Sequence, residues 1–208
     1  EPDVALVSSE GTRFLSVSIG SGWRAHPLNE RVNDRFYMIR SNHVYIRPEN
    51  YGKQNGSSTS SSWSPITESD LIDVTDDLDP ELNEYGWMLE LESSGEKVMS
   101  QSVTVNNQVV FTTYEPAASG DSCSPAIGGG AAYVLDIFTG APTVDLDDSE
   151  SSDTDDDSGT DDESSENENQ VTYRNSNLTK SDRKKTLQQD GIPPAPTALI
   201  TESEGNIG

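Results

Sequence analysis

Cysteine, histidine and basic residues are scarce in this 208-residue chain, and each shortage excludes a class of protein. Cys123 is the only cysteine, so the chain can form neither an internal disulfide nor a multi-cysteine zinc site. Cys123 is expected to be an unpaired core thiol, or half of a bridge to a segment beyond these residues. The only histidines, His26 and His43, have no cysteine or carboxylate at ligand spacing. We therefore expect no catalytic or metal-binding role for them.

The charge of the chain is strongly one-sided. Asp and Glu number 37 against 13 Lys and Arg, which gives a formal net charge of −24. Such a surface repels nucleic acid and anionic lipid, so neither is an expected partner. No apolar run approaches the length needed to span a bilayer. The first residues lack the basic region and apolar core of a signal peptide, so the start resembles a processed end or the middle of a longer chain.

The residues that are abundant indicate short strands joined by turns. Hydrophobic residues make up only 31% of the chain, while glycine, serine, asparagine and proline recur throughout. Alternation predicts strands within residues 3–19 and 35–47 and at 131–137. A further pair is predicted in "GEKVMSQSVTVNNQVVFTTYEP" (95–116), with a tight turn at Asn106-Asn107. The best candidate for a short helix is "SPITESDLIDVT" (64–75), with Ser64 or Thr67 as its cap.

Two of the predicted strands resemble one another. "RFYMIRS" (35–41) and "AAYVLDI" (131–137) each place a tyrosine before two apolar residues and lead into a turn. Repeated groups of strands with a period of about 40 to 50 residues are typical of β-propeller blades, and these copies lie about two periods apart. An ordinary meander in a β-sandwich explains the same pattern, so both architectures stay open on the pattern alone.

An acidic segment interrupts the strand pattern near the C-terminus. Between Asp145 and Glu168 there are 13 acidic residues and no Lys or Arg. Runs of like charge repel themselves, so we predict a disordered surface insertion. Residues 171–173 are predicted to return as a short strand. The basic "TKSDRKK" (179–185) follows, and "GIPPAPTALI" (191–200) is predicted to lead into a last strand.

Calcium is the metal that the acidic residues suggest. In "DTDDDSG", Asp153, Asp155 and Asp157 occupy the first, third and fifth positions of an EF-type loop, but Ser164 stands where the twelfth position needs a bidentate acid. In "DVTDDLDPELNE", which begins with Asp73 and Asp77, Glu84 ends the loop correctly, but Leu78 replaces the turn glycine. Both loops are imperfect, so calcium is a possible rather than an implied cofactor.

Tryptophan supplies the remaining ligand candidate. Trp23, Trp63 and Trp87 are expected to pack between strands. Trp63 lies in the Ser-rich loop "NGSSTSSSWS", which has no means of burying a core, so it is the tryptophan that we expect to contact a ligand.

Five segments together resemble a known family. They are, in order, "LSVSIGSGWRAHPLNERVNDRFYMIR", "ITESDLIDVTDDL", "GWMLELESSGEKVMSQSVTVNNQVVFTTYEP", "CSPAIGGGAAYVLDIFTG" and "GIPPAPT". They are similar to successive signature segments of the PilY-type family of type IV pilus biogenesis factors and pilus-tip adhesins. The resemblance covers most of residues 2–142 and 190–200. "DxxTG" (136–140) also resembles the blade turn of quinone-dependent dehydrogenases, in which Asp136 and Thr139 would bond backbone amides without binding cofactor.

The resemblance implies a fold, a function and a location. The fold is all-β, a partial quinoprotein-like β-propeller with antiparallel blades and long loops. Residues 1–144 would form blades, 145–169 the acidic insertion, and 170–208 a return strand with a C-terminal blade segment. The chain would be a non-enzymatic part of a type IV pilus tip, exported through the periplasm to the cell surface. It would act in pilus biogenesis and cell adhesion.

The implied partners are minor pilins, the N-terminal part of the same protein, and a host or abiotic surface. Two alternatives belong to other classes, a fragment of a quinoprotein-type dehydrogenase and a secreted carbohydrate-binding module. A dehydrogenase would oxidise alcohols with an added quinone, whereas a carbohydrate-binding module would respond on a glycan array.

The acidic insertion leads to the first testable prediction. Ordering each residue costs about 1–2 kcal/mol of backbone entropy, which a segment with one large apolar side chain cannot recover by burial. We expect deletion of residues 147–167 to leave the melting temperature nearly unchanged in calcium-free buffer, as measured by calorimetry. A large loss of stability would contradict the prediction.

Overall fold

The computed structural model describes residues 1–9, 12–41, 65–117, 127–146 and 178–198. Within these ranges there are ten strands and no α-helix. The strands are β1 (Asp3–Ser9), β2 (Thr12–Gly20), β3 (Arg35–Ser41), β4 (Ile72–Asp73), β5 (Gly86–Glu90), β6 (Lys97–Val98), β7 (Val103–Val105), β8 (Gln108–Glu115), β9 (Gly129–Asp136) and β10 (Lys184–Thr186). The all-β prediction is confirmed.

The first sheet has the order β1-β2-β3-β5-β4. Its first four strands form an antiparallel meander, and the two residues of β4 add to β5 in parallel. Because successive side chains of a strand point to opposite faces, the pairing places Val7, Phe14 and Met38 on one face. All three are buried, so this face is the inner one.

The second sheet is also an antiparallel meander, in the order β10-β9-β8-β6, and β7 pairs with β8 as well. Since β6 and β7 lie along the same neighbour, they act as one interrupted first strand. The predicted turn between β7 and β8 is confirmed. Asn106 and Asn107 have φ values of 48° and 60°, the left-handed conformation that a two-residue hairpin of this type needs at both positions.

A stack of aromatic rings joins the two sheets. Phe36 of β3 stacks on Phe111 of β8, with ring centroids 3.8 Å apart and planes 4° from parallel. Trp87 extends the stack within the first sheet, and Tyr133 extends it within the second. The Trp87 indole N–H donates to the carbonyl oxygen of Ile137 at 3.1 Å, so its polar atom is also satisfied in the interior. The expected packing role of Trp87 matches this position.

The two resembling segments occupy equivalent places. "RFYMIRS" is β3, the third strand of the first meander, and "AAYVLDI" begins within β9, the third strand of the second. The turn after β9 has the expected bonds. The Asp136 carboxylate accepts the backbone N–H groups of Phe138 and Thr139, both at 2.9 Å.

The helix predicted at 64–75 is wrong apart from one turn. A 3₁₀ turn forms at Glu68–Asp70, where the Asp70 carboxylate accepts the backbone N–H and the hydroxyl of Thr67, both at 2.8 Å. No residue of this turn is buried, so tertiary packing does not favour its extension. Ile72 and Asp73 pair with β5 instead, and the backbone hydrogen bonds of the sheet replace those of a helix.

A strand that the sequence did not predict, β10, lies within the basic "TKSDRKK" and the residue after it. It pairs with Ala131–Tyr133 of β9. The described part of the proline-rich segment, residues 191–198, has no strand. The strands predicted at 44–47, 171–173 and the extreme C-terminus lie outside the described residues, as do Cys123 and the acidic insertion beyond residue 146.

The aromatic stack leads to a prediction about stability. Phe111→Ala removes the ring that contacts both Phe36 and Tyr133, so it leaves a cavity between the sheets. We expect the free energy of unfolding to fall by about 3–5 kcal/mol in urea titrations. Val32→Ala is the control, because Val32 is 61% exposed and its truncation should change stability by less than about 0.5 kcal/mol. Equal effects of the two substitutions would contradict the stack's role.

Candidate functional site: a surface groove above a buried charge cluster

An open groove of about 950 Å³ lies where the β2–β3 loop meets the second sheet. The loop contributes Trp23, His26, Leu28, Asn29, Glu30 and Arg31, and the second side of the groove is formed by Ser93, Ser94, Glu115 and Pro116. Aromatic, carboxylate, amide, hydroxyl and guanidinium groups therefore face the same space. This mixture suits a ligand with both apolar and hydrogen-bonding surfaces.

Local hydrogen bonds hold the loop that carries Trp23. The His26 N–H donates to the Trp23 carbonyl oxygen at 2.9 Å, and the Asn29 N–H donates to the His26 carbonyl oxygen at 3.1 Å. The Arg24 guanidinium also donates to the carbonyl oxygen of Met99, at 3.0 Å. These bonds position the loop without burying its tryptophan.

Trp23 is 56% exposed, and its ring meets the His26 ring edge-on with centroids 4.1 Å apart. The expectation that Trp23 packs between strands is therefore wrong. A held but exposed indole is an amphipathic platform, with a flat apolar face and an N–H donor. Trp63, the expected ligand contact, lies outside the described residues.

Below the groove, a buried carboxylate organises a hydrogen-bond cluster. The Glu96 side chain is fully buried, and one of its oxygens accepts the hydroxyl groups of Thr113 at 2.6 Å and Tyr133 at 3.0 Å. The other oxygen accepts the Lys184 ammonium at 3.0 Å and the Ser93 backbone N–H at 3.1 Å. A buried carboxylate needs such partners because its charge is otherwise costly to desolvate.

Lys184 connects this cluster to the wall of the groove. Its ammonium also donates to Glu115 and to the Ser93 hydroxyl, and both of these residues line the groove. Burial works against the charged ammonium, but the carboxylates of Glu96 and Glu115 outweigh it, so the pKa of Lys184 is raised. Burial, followed by the nearby Glu96 charge, raises the pKa of Tyr133 above its usual range, so its phenol stays protonated.

A buried lysine, Lys97, anchors the β2–β3 loop. The Lys97 ammonium donates to the carbonyl oxygens of Asn29 and Gly95. Asn29 belongs to the groove, so this lysine ties the loop to β6 of the second sheet. The groove therefore rests on interactions that cross from one sheet to the other.

Basic side chains hold the candidate calcium loop that begins at Asp73. The buried Arg183 guanidinium donates to the carbonyl oxygens of Thr75 at 3.0 Å and Asp77 at 2.7 Å. The Lys180 ammonium forms an ion pair with Asp76 at 2.8 Å. Burial lowers the pKa of Arg183, against the opposing effect of Glu92 and the loop acids. In this loop, Arg183 therefore occupies two backbone carbonyl oxygens and Lys180 pairs with one carboxylate.

The carboxylates of the same loop serve as local turn acceptors. The Asp73 carboxylate accepts the Thr75 N–H at 2.9 Å, and the Asp77 carboxylate accepts the Asp79 N–H at 3.0 Å. Asp73, Asp77 and Glu84 do not converge, and the described ranges contain no group of three or more His, Cys, Asp or Glu residues that could hold a metal ion. Asp153, Asp155 and Asp157 lie outside those ranges, so calcium binding there stays a prediction.

Sequence reasoning missed the cluster at Glu96 and the groove at Trp23. Glu96 lies at a predicted turn and Lys184 in a basic string 88 residues away, so no local pattern joins them. Within the basic string, Arg183 binds the loop that begins at Asp73 and Lys184 binds Glu96.

Comparison with family models, with curated proteins and with solved structures gives no match for this chain. Across the described ranges, no helix has the length and apolar character needed to cross a membrane.

The buried cluster predicts a specific response to substitution and pH. Lys184→Met leaves the buried Glu96 without this ammonium, so we expect the free energy of unfolding at pH 7 to fall by about 3–5 kcal/mol. The folded-state pKa of Lys184 is raised, so its contribution is complete below the unfolded value of about 10.4 and is lost as pH rises through the folded value. Between pH 9 and 12, wild-type stability should therefore fall more steeply than that of Lys184→Met.

Arg13→Met is the matched control, because it removes one positive charge from an exposed strand position. Its stability at pH 7 should stay within about 0.5 kcal/mol of wild type. Urea titrations across the pH range measure all three proteins. Parallel pH profiles for wild type and Lys184→Met would contradict the assignment.

Proposed function

We propose that this chain is the C-terminal propeller portion of a type IV pilus-tip protein. In this proposal it has no catalytic activity, takes part in pilus biogenesis, and is displayed outside the cell, where it contacts a surface. Its partners are minor pilins, the remainder of the same protein, and a host or abiotic surface. The order of the five segments that resemble the PilY-type family supports the proposal.

The observation that carries the blade architecture is the equivalence of β3 and β9. Each is the third strand of a four-stranded antiparallel meander, if the interrupted β6–β7 is counted as one strand and the two-residue parallel strand β4 is left aside. The two meanders follow one another in the chain and pack face to face through Phe36 and Phe111. Successive four-stranded meanders that pack in this way are the repeating unit of a β-propeller.

The groove at Trp23 is the best-supported contact surface for adhesion. It lies on a loop rather than on a strand, and loops held by a rigid scaffold are common binding elements. Its exposed indole lies beside Glu30, Arg31 and Glu115, which provide acceptors and donors around an apolar platform. The same arrangement favours a second candidate function, a secreted carbohydrate-binding module.

The proposal predicts that pilus display and adhesion respond differently to Trp23→Ala. We expect a strain that lacks the natural gene to lose surface pili, and a strain that expresses Trp23→Ala to display normal pili. Attachment by the Trp23→Ala strain should weaken, because losing a central aromatic contact costs about 2 kcal/mol or more, roughly 30-fold in affinity. Sheared-pilus immunoblots and attachment assays on defined surfaces measure the two properties.

Tyr85→Ala is the control, since it removes another exposed aromatic side chain that does not line this groove. Normal pili and normal attachment in the gene-deletion strain would contradict the pilus-tip proposal. Glycan-array binding by the purified chain, together with normal pili in that strain, would favour the carbohydrate-binding module.

A further inference from the structure

The first sheet has an outer face that is apolar across four strands. This outer face consists of the side chains that point away from the second sheet. Its centre is apolar and comprises Val4, Leu6, Leu15, Val17, Ile19, Tyr37, Ile39 and Met88, whereas Ser8, Arg13, Arg35, Ser41 and Glu90 lie at its ends. Val4 and Leu6 are each 56% exposed, and Ile19 is 36% exposed. An antiparallel sheet with one face in solvent normally alternates apolar and polar residues, whereas a sheet buried on both faces is apolar throughout. The centre of the outer face therefore has the composition of a buried one.

The cross-strand pairs make this face continuous. Val4 lies opposite Val17, Leu6 opposite Leu15, and Ile19 opposite Tyr37. Such pairs bring side chains on neighbouring strands within contact distance, so they form a contiguous patch. Contiguous exposed apolar patches of this kind mark interaction surfaces.

The repeated strands indicate what the outer face contacts. When "RFYMIRS" is laid over "AAYVLDI", Tyr37 corresponds to Tyr133, and Ile39 corresponds to Leu135. Tyr133 and Leu135 are buried on the inner face of the second sheet, toward Phe36. Tyr37 and Ile39 point away from the second sheet. The outer face of the first sheet therefore corresponds to the inner face of the second sheet. That inner face is the one that packs on the first sheet.

The neighbouring strand extends this correspondence. Ile19 pairs with Tyr37, as Phe111 pairs with Tyr133. Val17 pairs with Ile39, as Val109 pairs with Leu135. A two-by-two block of large apolar side chains therefore recurs at equivalent positions in the two sheets.

The opposite alignment, in which the two inner faces correspond, fails at the same positions. It matches Phe36 with Tyr133, and the strand neighbours then match Gly20 with Phe111. A glycine and a phenylalanine do not fill equivalent space, and Gly20 must be small because Val98 lies against it. The two faces in contact therefore correspond to different faces of the repeat. The two sheets are related head to tail and not by a two-fold axis. A head-to-tail arrangement leaves an open face that can accept a further unit.

We propose that the outer face of the first sheet binds a third antiparallel β-sheet of the same polypeptide, packed as the second sheet packs on the first. The contacting side of that sheet carries large apolar residues, as Phe36, Met38 and Trp87 do on the inner face of the first sheet. The proposal rests on the blade architecture proposed above and is independent of the pilus-tip role.

Two observations favour a sheet of the same polypeptide over a second copy of this chain. The two sheets that pack on each other are consecutive in one chain, which passes from the first sheet to the second between β5 and β6. A further sheet of the same repeat is therefore expected in the same polypeptide. The net charge of −24 makes two copies repel each other.

Cysteine labelling tests the proposal in a background in which Cys123 is replaced by Ser. Leu6→Cys is prepared both in the 208-residue chain and in the complete natural protein, and its rate of reaction with a maleimide is measured. We expect rapid labelling in the 208-residue chain and labelling at least about tenfold slower in the complete protein. Val32→Cys is the control and should react equally in both, since Val32 is 61% exposed in the β2–β3 loop and is not a residue of the outer face.

A second variant tests the energy of the contact. Leu6→Lys should change the unfolding free energy of the 208-residue chain by less than about 0.5 kcal/mol. It should lower the melting temperature of the complete protein by several degrees, because it buries a charge. Light scattering gives the oligomeric state in parallel.

Three results would overturn the proposal. Equal labelling of Leu6→Cys in both proteins would show that no further sheet covers the face. Slow labelling already in the 208-residue chain as a monomer would show that the chain covers its own face. A dimer that Leu6→Lys dissociates would assign the face to a second copy. None of these results alters the pilus and attachment outcomes, so the two proposals fail separately.

Discussion

Phe36 and Phe111 stack across the space between the two sheets, and the other long-range contacts of the interior are arranged around them. Trp87 and Tyr133 extend the stack at either end. Tyr133 in turn donates to Glu96, so the apolar interface continues directly into the buried charge cluster. Aromatic rings provide large contact areas with few rotatable bonds, which suits a chain whose apolar content is only 31%. A small set of rings thus compensates for a sparse core.

Although basic residues are few in this acidic chain, several of them hold parts of the fold together. Lys97 and Arg183 are buried and bind backbone carbonyl oxygens, whereas Lys184 binds two carboxylates. Each one joins segments that are far apart in sequence or ties a loop to a sheet. The candidate groove depends on two of them, since Lys97 holds Asn29 and Lys184 holds Glu115.

The two surfaces that we assign to binding differ in physical character. The groove is formed mainly by loop residues around Trp23, with Glu115 at the end of β8, and combines an apolar platform with charged and amide groups. The outer face of the first sheet has an apolar centre built from strands, which suits packing against another sheet. Both assignments use the same scaffold. The meander that positions β3 presents Phe36 to the second sheet and Tyr37 to the outer face.

The sequence by itself determined the all-β class, the Asn106-Asn107 hairpin and the turn at Asp136, because these features depend on local alternation and on backbone conformations that few residues adopt. It also identified β3 and β9 as a repeat. The tertiary structure alone decided which face each tyrosine of that repeat occupies, that residues 72–73 join a sheet rather than a helix, and that Trp23 stays exposed. It also decided the pairing of Glu96 with Lys184. These features depend on contacts between residues tens of positions apart, and local propensity contains no information about such contacts.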